Sequence, residues 1–112
     1  MDMLEEIFNM QREYLKILSL KRDEFIAYSK EERISMLCTA IIHEVCELQD
    51  LTGWKWWKSK HEFDTSKAKE ELIDILHFVI QIALELDMSA KDLLDEYRRK
   101  NIINRDRQIN GY

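Results

Sequence analysis

The sequence predicts an all-α protein, a four-helix bundle that occupies residues 1–112 as one domain. The 112 residues include no proline and only two glycines, the residue types that most strongly interrupt helices. Helix-favouring Glu, Lys, Leu and Ile dominate the composition. Apolar residues recur at helical spacing in successive stretches of the chain. A domain of this length buries a modest core, so oligomerisation is a natural addition to its stability.

The first helix is predicted from about Asp2 to Arg22, because apolar residues between Leu4 and Leu18 follow helical spacing. Gln11 lies in the middle of this apolar stripe. A buried amide without a hydrogen-bond partner costs about 1–3 kcal/mol, so a partner is expected. Gln11 is therefore either a core amide that backbone or water satisfies, or a polar group that contacts a ligand.

The second helix is predicted to begin at Ser29, where Ser29 and Glu32 fit a capping box. It continues to about Leu51, and Gly53 is expected to act as its C-cap. Residues 23–28, which precede it, are expected to form a turn or to continue the first helix.

The third helix is predicted from a cap at Thr65 or Ser66 to about Asp87, after a loop over residues 53–65. Residues 72–86 are apolar nearly all round the helix, which predicts the buried centre of the bundle. A narrow line of polar residues interrupts this surface: Asp74, His77, Gln81 and Glu85. A fourth helix follows, capped by Ser89 with Asp92, and it is expected to break up at residues 110–111.

Composition also indicates the cellular compartment and the classes of partner of the protein. No apolar run reaches the roughly 18 residues of a membrane span, and the acidic N-terminus lacks the pattern of a secretion signal, so we expect a cytoplasmic protein without a membrane partner. The net charge of −5 argues against binding to a nucleic-acid polymer.

Cys38 and Cys46 lie eight residues apart on one helix, which excludes a disulfide between them. They are expected to be small core residues of a reducing compartment.

Two acidic pairs lie within the second and third helices. Glu44 and Glu47 form the first pair, and Glu71 and Asp74 form the second. Residues three apart on a helix share one face at about 5–6 Å from each other. Four carboxylates are hard oxygen ligands that suit Mg²⁺ or Mn²⁺, and Mg²⁺ usually completes its shell with water and substrate phosphates. The alternative is that these acids form a solvated helix surface without a metal.

Two other metal sites are less compatible with the sequence. His43 and Glu44 begin an HExxH zinc motif, but the second histidine is absent. Asp74 and His77 resemble one Glu-x-x-His motif of the di-iron bundles, whose required second copy is missing. His77 is therefore expected to be a core histidine or to support the metal ligands.

Together these motifs resemble the dimeric all-α dUTPases of the MazG-like NTP pyrophosphatase superfamily. The resemblance rests on Glu44-x-x-Glu47, Trp54-Lys55-Trp56-Trp57-Lys58, Glu71-x-x-Asp74-x-x-His77-Phe78, and Tyr97-x-x-Lys100-Asn101-x-x-Asn104-x-x-Arg107-Gln108-x-x-Gly111-Tyr112. It spans about residues 40–112, with Gln11 as a further match. The acidic motifs are common to the superfamily, whereas the tryptophan–lysine and C-terminal motifs are typical of the dUTPase branch.

The resemblance implies Mg²⁺-dependent hydrolysis of dUTP to dUMP and pyrophosphate, and also of dUDP to dUMP and phosphate, by a metal-bound water. Glu47 is the expected catalytic base, with Glu44 as the second candidate. The implied metal ligands are Glu44, Glu47, Glu71 and Asp74. The implied contacts with the nucleoside are Gln11 at the uracil edge, His77 at the deoxyribose, and Trp54, Trp56, Trp57 and Phe78 around the base and sugar. The implied phosphate contacts are Lys55 or Lys58, Lys100, Asn104 and Arg107, with Asn101 beside them. Tyr112 would close the site.

Several alternatives stay open at this point. Tyr14 stands where the family often has an asparagine three residues after the helix 1 glutamine, so dCTP or a modified nucleotide is an alternative substrate. The tryptophans are also typical of interface or core anchors, and the basic C-terminal residues of a solvated chain end. A helical oligomerisation module without catalysis is the non-enzyme alternative. A homodimer or homotetramer is expected, with part of the site formed across the dimer interface.

Overall fold

The computed structural model describes residues 2–111, which fold into four long helices, with the longest connection, residues 51–64, between the second and the third. The helices are α1 (Met3–Lys21), α2 (Lys30–Asp50), α3 (Thr65–Glu85) and α4 (Ala90–Asn110). Residues 23–28, expected to form a turn or more helix, contain a single 3-10 turn, Glu24–Ala27. Residues 2–111 contain no strand, so the prediction of an all-α fold is confirmed.

Polar side chains begin the second and fourth helices where the sequence predicts them. Ser29 accepts a hydrogen bond from the backbone N–H of Glu32, and the Glu32 carboxylate accepts one from the backbone N–H of Ser29. Ser89 and Asp92 form the same reciprocal pair at the start of α4. Each pair satisfies two backbone donors that the first helical turn leaves without partners.

The ends of α2 and α3 differ from the prediction in detail. The cap of α3 is Asp64 and not Thr65 or Ser66, because the Asp64 carboxylate accepts a hydrogen bond from the third helical N–H. α3 ends at Glu85, since Asp87 adopts a left-handed φ of 58° that no helix continues. Gly53 lies two residues beyond the C-cap of α2, and its φ of 64° turns the chain into the following loop.

α2 and α3 are the main antiparallel helix pair. The start of α2 is joined to the end of α3 by two ion pairs. Arg33 Nε lies 2.6 Å from a Glu85 carboxylate oxygen, and Lys30 Nζ lies 2.8 Å from Asp87. Arg33 also donates to the backbone carbonyl of Tyr28 at 2.6 Å. The Arg33–Glu85 pair is half-buried, so water screens it less than a surface pair. These contacts fix the register in which the acidic residues of the two helices face each other.

The fully buried core is small and lies where α1, α3 and α4 meet. Its buried members are Phe8, Ile80, Ala83 and Ala90. Half-buried side chains surround them: Leu4, Leu76, Leu84, Met88 and Leu93. Phe8 is the one large side chain among residues 2–111 that is fully buried. α1 and the start of α4 are therefore attached to the helix pair mainly through this cluster.

Much apolar surface stays exposed in the single chain. Cys38 and Cys46 are both exposed, so their prediction as core residues is wrong; they lie on a side of α2 that the chain does not cover. α3 buries only one side, because Leu72, Ile73 and Val79 are exposed. The radius of gyration is 17.4 Å, against about 13 Å for a compact domain of this length. No helix within residues 2–111 combines the length and apolar character needed to cross a membrane.

Replacing Phe8 by alanine should destabilise the protein by about 3–5 kcal/mol, because the substitution leaves a cavity at the junction of three helices. The measurement is equilibrium unfolding in urea with the denaturant slope checked for constancy. Ile109→Ala is the control, since Ile109 is exposed near the end of α4, and its cost should stay below about 0.5 kcal/mol. Equal costs for the two variants would contradict the location of the core.

Candidate active site

Three carboxylates from two helices converge at the middle of the α2–α3 pair. Glu44 and Glu47 lie on α2, and Glu71 lies near the start of α3. One oxygen from each carboxylate lies within 4.8 Å of the others. The helical spacing of three residues gives Glu44 and Glu47 a common side, and the antiparallel packing places Glu71 opposite them. The structure thus brings together three of the four predicted metal ligands.

Two oxygens of this cluster are buried without hydrogen-bond partners. They are Oε2 of Glu44 and Oε2 of Glu71. Glu71 is only 8% exposed, and the nearest cation within residues 2–111 is Lys67, whose Nζ lies 4.0 Å from the other oxygen of Glu71. An isolated buried carboxylate is costly, and proteins pair such groups with cations or metal ions. The cluster therefore carries negative charge that the chain itself does not balance.

Burial and mutual repulsion favour protonation of this cluster. Burial is the main reason that the pKa of Glu44 is raised above its usual value, and the charges of Glu47 and Asp74 add to it. Burial likewise raises the pKa of Glu71, followed by its close contact with Glu47 and the charge of Asp74, while Lys67 opposes the rise. Loss of hydration and like charges both disfavour the ionised form, and a bound cation would reverse both effects.

The donor set fits a hard divalent cation. All three converging groups are carboxylates, and neither histidine nor cysteine belongs to the cluster within the described residues. Such oxygen ligands suit Mg²⁺ or Mn²⁺ and do not favour Zn²⁺. Asp74, the fourth predicted ligand, is exposed and lies outside the tight group, although its charge acts on both Glu44 and Glu71. Its place is at the edge of the cluster.

A cavity of about 240 Å³ adjoins the acidic cluster. Its lining is Gln11, Tyr14, Glu44, Asp74, His77, Phe78 and Gln81. Gln11 is only 5% exposed, and the ring of Tyr14 packs edge-on against His77 with centroids 6.4 Å apart. The predicted contacts Gln11, His77 and Phe78 are thus brought to the metal ligands. Tyr14 and Gln81 were not predicted as site residues, although Gln81 follows Asp74 and His77 in the polar line of α3.

The tryptophan–lysine loop lies apart from this cavity in the single chain. Trp54, Trp56 and Trp57 are exposed, and Trp57 packs edge-on against both others. Lys55 lies over the ring of Trp54, with 5.7 Å from Nζ to the ring centroid. A separate cavity of about 300 Å³ is lined by Asp50, Gly53, Trp54, Lys55, Lys58, Ser59 and His61. The predicted base-stacking and phosphate contacts of this loop are therefore not brought to Gln11 within one chain.

The predicted phosphate contacts of the C-terminal motif lie along α4. They are Lys100, Asn101, Asn104 and Arg107. α4 packs on α1 through its first turns, and within the described residues none of the four lines the cavity beside the acids. Tyr112, predicted to close the site, lies outside the described residues. The single chain thus holds the acids and the glutamines together, and keeps the basic residues elsewhere.

Comparison with known proteins identifies the family of this chain. The profile of the dUTPase family matches residues 3–90, which include both acidic motifs, Gln11 and the tryptophan–lysine loop. The dCTP pyrophosphatase of Enterobacteria phage T4 is 35% identical over 71 residues, covering 53% of this chain and 42% of the relative. The chain therefore spans less than half the length of that relative. No solved structure matches the chain. Because the family profile covers most of the sequence, the chain belongs to the dUTPase family.

Proposed function

We propose that this protein hydrolyses a pyrimidine deoxynucleoside triphosphate, dUTP foremost, to the monophosphate and pyrophosphate in a Mg²⁺-dependent reaction. The same site would convert dUDP to dUMP and phosphate. The observation that carries the proposal is the convergence of Glu44, Glu47 and Glu71, with two buried carboxylate oxygens that lack partners. Divalent cations would balance this charge and would in turn bind the phosphates of the substrate.

The acids would bind the metal, and one of them would also accept a proton. Glu44, Glu47 and Glu71 would hold the metal, with Asp74 at the edge of the set. When bound, Mg²⁺ would neutralise the charge that develops on the phosphate oxygens during hydrolysis. Glu47 is the most exposed of the three converging acids, so water reaches it most easily. We assign to Glu47 the acceptance of the proton from the attacking water, with Glu44 as the second candidate.

The adjoining cavity would hold the nucleoside. Gln11 would contact the edge of the base, Phe78 would pack against the base or sugar, and His77 would lie at the deoxyribose. Among residues 2–111, no lysine or arginine lines this cavity, so it suits a neutral part of the substrate better than the phosphates. The similarity to a dCTP pyrophosphatase supports a second candidate, in which dCTP replaces dUTP with the same chemistry.

The test of this function is a hydrolysis screen of dUTP, dUDP, dCTP, dTTP and UTP with and without Mg²⁺. We expect a deoxypyrimidine triphosphate to be the best substrate, and Glu44→Gln to lower kcat/KM by about 100-fold or more, because a buried metal ligand is lost. Glu31→Gln, an exposed acid in the first turn of α2, should leave kcat/KM unchanged. Full Mg²⁺-dependent activity of Glu44→Gln would contradict the metal site, and preference for dCTP would favour the second candidate.

Glu71→Gln should raise the melting temperature of the metal-free protein at about pH 8, because it removes a buried, repelled charge. A carboxylate whose pKa is raised in the folded state binds more protons there than in the unfolded chain. The wild type therefore gains stability as the pH falls toward that raised pKa. The difference in melting temperature between Glu71→Gln and wild type should shrink toward about pH 5.

Differential scanning fluorimetry across this pH range measures the difference in melting temperature between wild type and Glu71→Gln. Glu70→Gln, at an exposed neighbouring position, is the matched control. In the same scans, added MgCl₂ should raise the melting temperature of the wild type and not that of Glu71→Gln. A lower melting temperature of metal-free Glu71→Gln than of wild type would show that this carboxylate has a structural partner instead.

We further propose that two copies of this chain form the working enzyme, as a homodimer or a pair of dimers. A groove of about 650 Å³ runs along α1, lined by Glu6, Asn9, Met10, Glu13, Tyr14 and Ile17. Met10 and Tyr14 also line an apolar cavity of about 320 Å³ that reaches Gln11 and His77. A second copy seated here would cover exposed apolar residues next to the substrate cavity. The basic residues of the loop and of α4 would then approach the phosphates from the partner.

Ile17→Glu should convert this dimer to a monomer, because the new carboxylate would lose its hydration at the contact. Sedimentation velocity at micromolar concentration measures the mass. Ser19→Glu adds the same charge on the opposite side of α1, and we expect it to remain dimeric. A monomeric wild type with full activity would rule out the shared site.

A further inference from the structure

Gln81 is a buried amide without a hydrogen-bond partner. Its side chain is only 7% exposed, on the side of α3 that faces α1 and α2. No residue between positions 2 and 111 forms a hydrogen bond with its side-chain amide. A glutamine amide carries two donors and one carbonyl acceptor. The buried side-chain oxygens that lack any partner among the described residues belong to Glu44 and Glu71, so the amide of Gln81 reaches the cavity that it lines, where water or a ligand can pair with it.

The surroundings of Gln81 indicate where that partner lies. Gln81 lines the 240 Å³ cavity together with Gln11, Glu44 and Asp74. Its neighbour one turn further along α3, Glu85, is already paired with Arg33. At the other end of the polar line, Asp74 belongs to the edge of the acidic cluster. Gln81 thus lies between a satisfied ion pair and the proposed metal ligands. It borders the cavity that the substrate would enter and also a second cavity of about 300 Å³, whose polar lining includes Arg33 and Glu85, which are paired with each other.

Both buried glutamines border the same cavity. Gln11 reaches it from α1 and Gln81 from α3, so the two amides line it from different helices. Neither is charged, and each offers donors as well as an acceptor. Such a pair suits a neutral ring whose edge mixes donors and acceptors, and it suits a phosphate poorly because the carbonyl oxygens would repel it.

We propose that Gln81 contacts the pyrimidine base of the substrate and, together with Gln11, determines which base is bound. This inference rests on the proposed function. Uracil presents three polar groups on its edge, an acceptor at each of two carbonyls and one N–H donor. Cytosine also presents three. One glutamine amide pairs with two of these groups through its own donor and acceptor, and the second amide, Gln81, pairs with the third. The base then satisfies both amides at once.

The test compares Gln81→Met with wild type, since methionine keeps the length of the side chain and removes its hydrogen bonds. Isothermal titration with dUMP and dCMP in the presence of Mg²⁺ should show binding of the preferred monophosphate weakened about tenfold. Binding of pyrophosphate, which has no base, should stay unchanged. Gln49→Met, an exposed glutamine on α2, is the control and should match wild type for all three ligands.

A second measurement separates contact with the base from a structural role. The melting temperature of ligand-free Gln81→Met should equal that of wild type, because the substitution removes no hydrogen bond to another described residue. A lower melting temperature, or equal weakening of pyrophosphate and monophosphate binding, would overturn the inference. If wild type binds neither monophosphate and hydrolyses no pyrimidine triphosphate, the proposed function itself fails. If wild type does both and Gln81→Met equals it, only the role of Gln81 fails.

Discussion

Opposite charges meet at one end of the α2–α3 pair, and like charges meet further along it. Arg33 with Glu85 and Lys30 with Asp87 hold the start of α2 against the end of α3. Glu44, Glu47 and Glu71 repel one another in a partly buried setting. A divalent cation at that point would turn repulsion into attraction. The ion that the proposed hydrolysis needs would therefore also complete the packing of these two helices, so metal binding and folding stability would be coupled.

The polar line on α3 connects the two ends of this helix pair. Asp74, His77, Gln81 and Glu85 lie about one turn apart on a helix that is otherwise apolar. Each meets a different environment: the acidic cluster, the ring of Tyr14, the cavity beside Gln11, and the guanidinium of Arg33. Asp74 and His77 are exposed, Glu85 is half-buried and Gln81 is mostly buried. Glu85 is paired with Arg33, whereas the amide of Gln81 faces the cavity, and this position supports the proposal that the substrate is its partner.

Local sequence patterns predicted the helices well, because capping and periodicity involve residues close in the chain. The Ser29 and Ser89 caps follow from such patterns, whereas the convergence of the two acidic motifs was expected from the metal-binding chemistry of their carboxylates and from the family resemblance. Contacts between distant residues were harder to predict. Cys38 has an apolar spacing that predicts burial, yet no element of the same chain covers it. Helical spacing indicates which residues share a face, but it does not indicate whether that face meets the same chain or another copy.

In the proposed site, base preference would depend on the orientation of a glutamine amide. Rotation by half a turn about its last side-chain bond exchanges the donor and the acceptor of the amide. Uracil and cytosine differ by that same exchange at the ring nitrogen and the neighbouring exocyclic group, so Gln11 alone accommodates either base. Discrimination therefore requires neighbours that fix the orientation of Gln11 or bind the remaining group of the base. Tyr14 and Gln81 are the polar neighbours that line the cavity without belonging to the acidic cluster or serving the sugar. In the proposed enzyme, the choice between dUTP and dCTP would thus lie with these two residues.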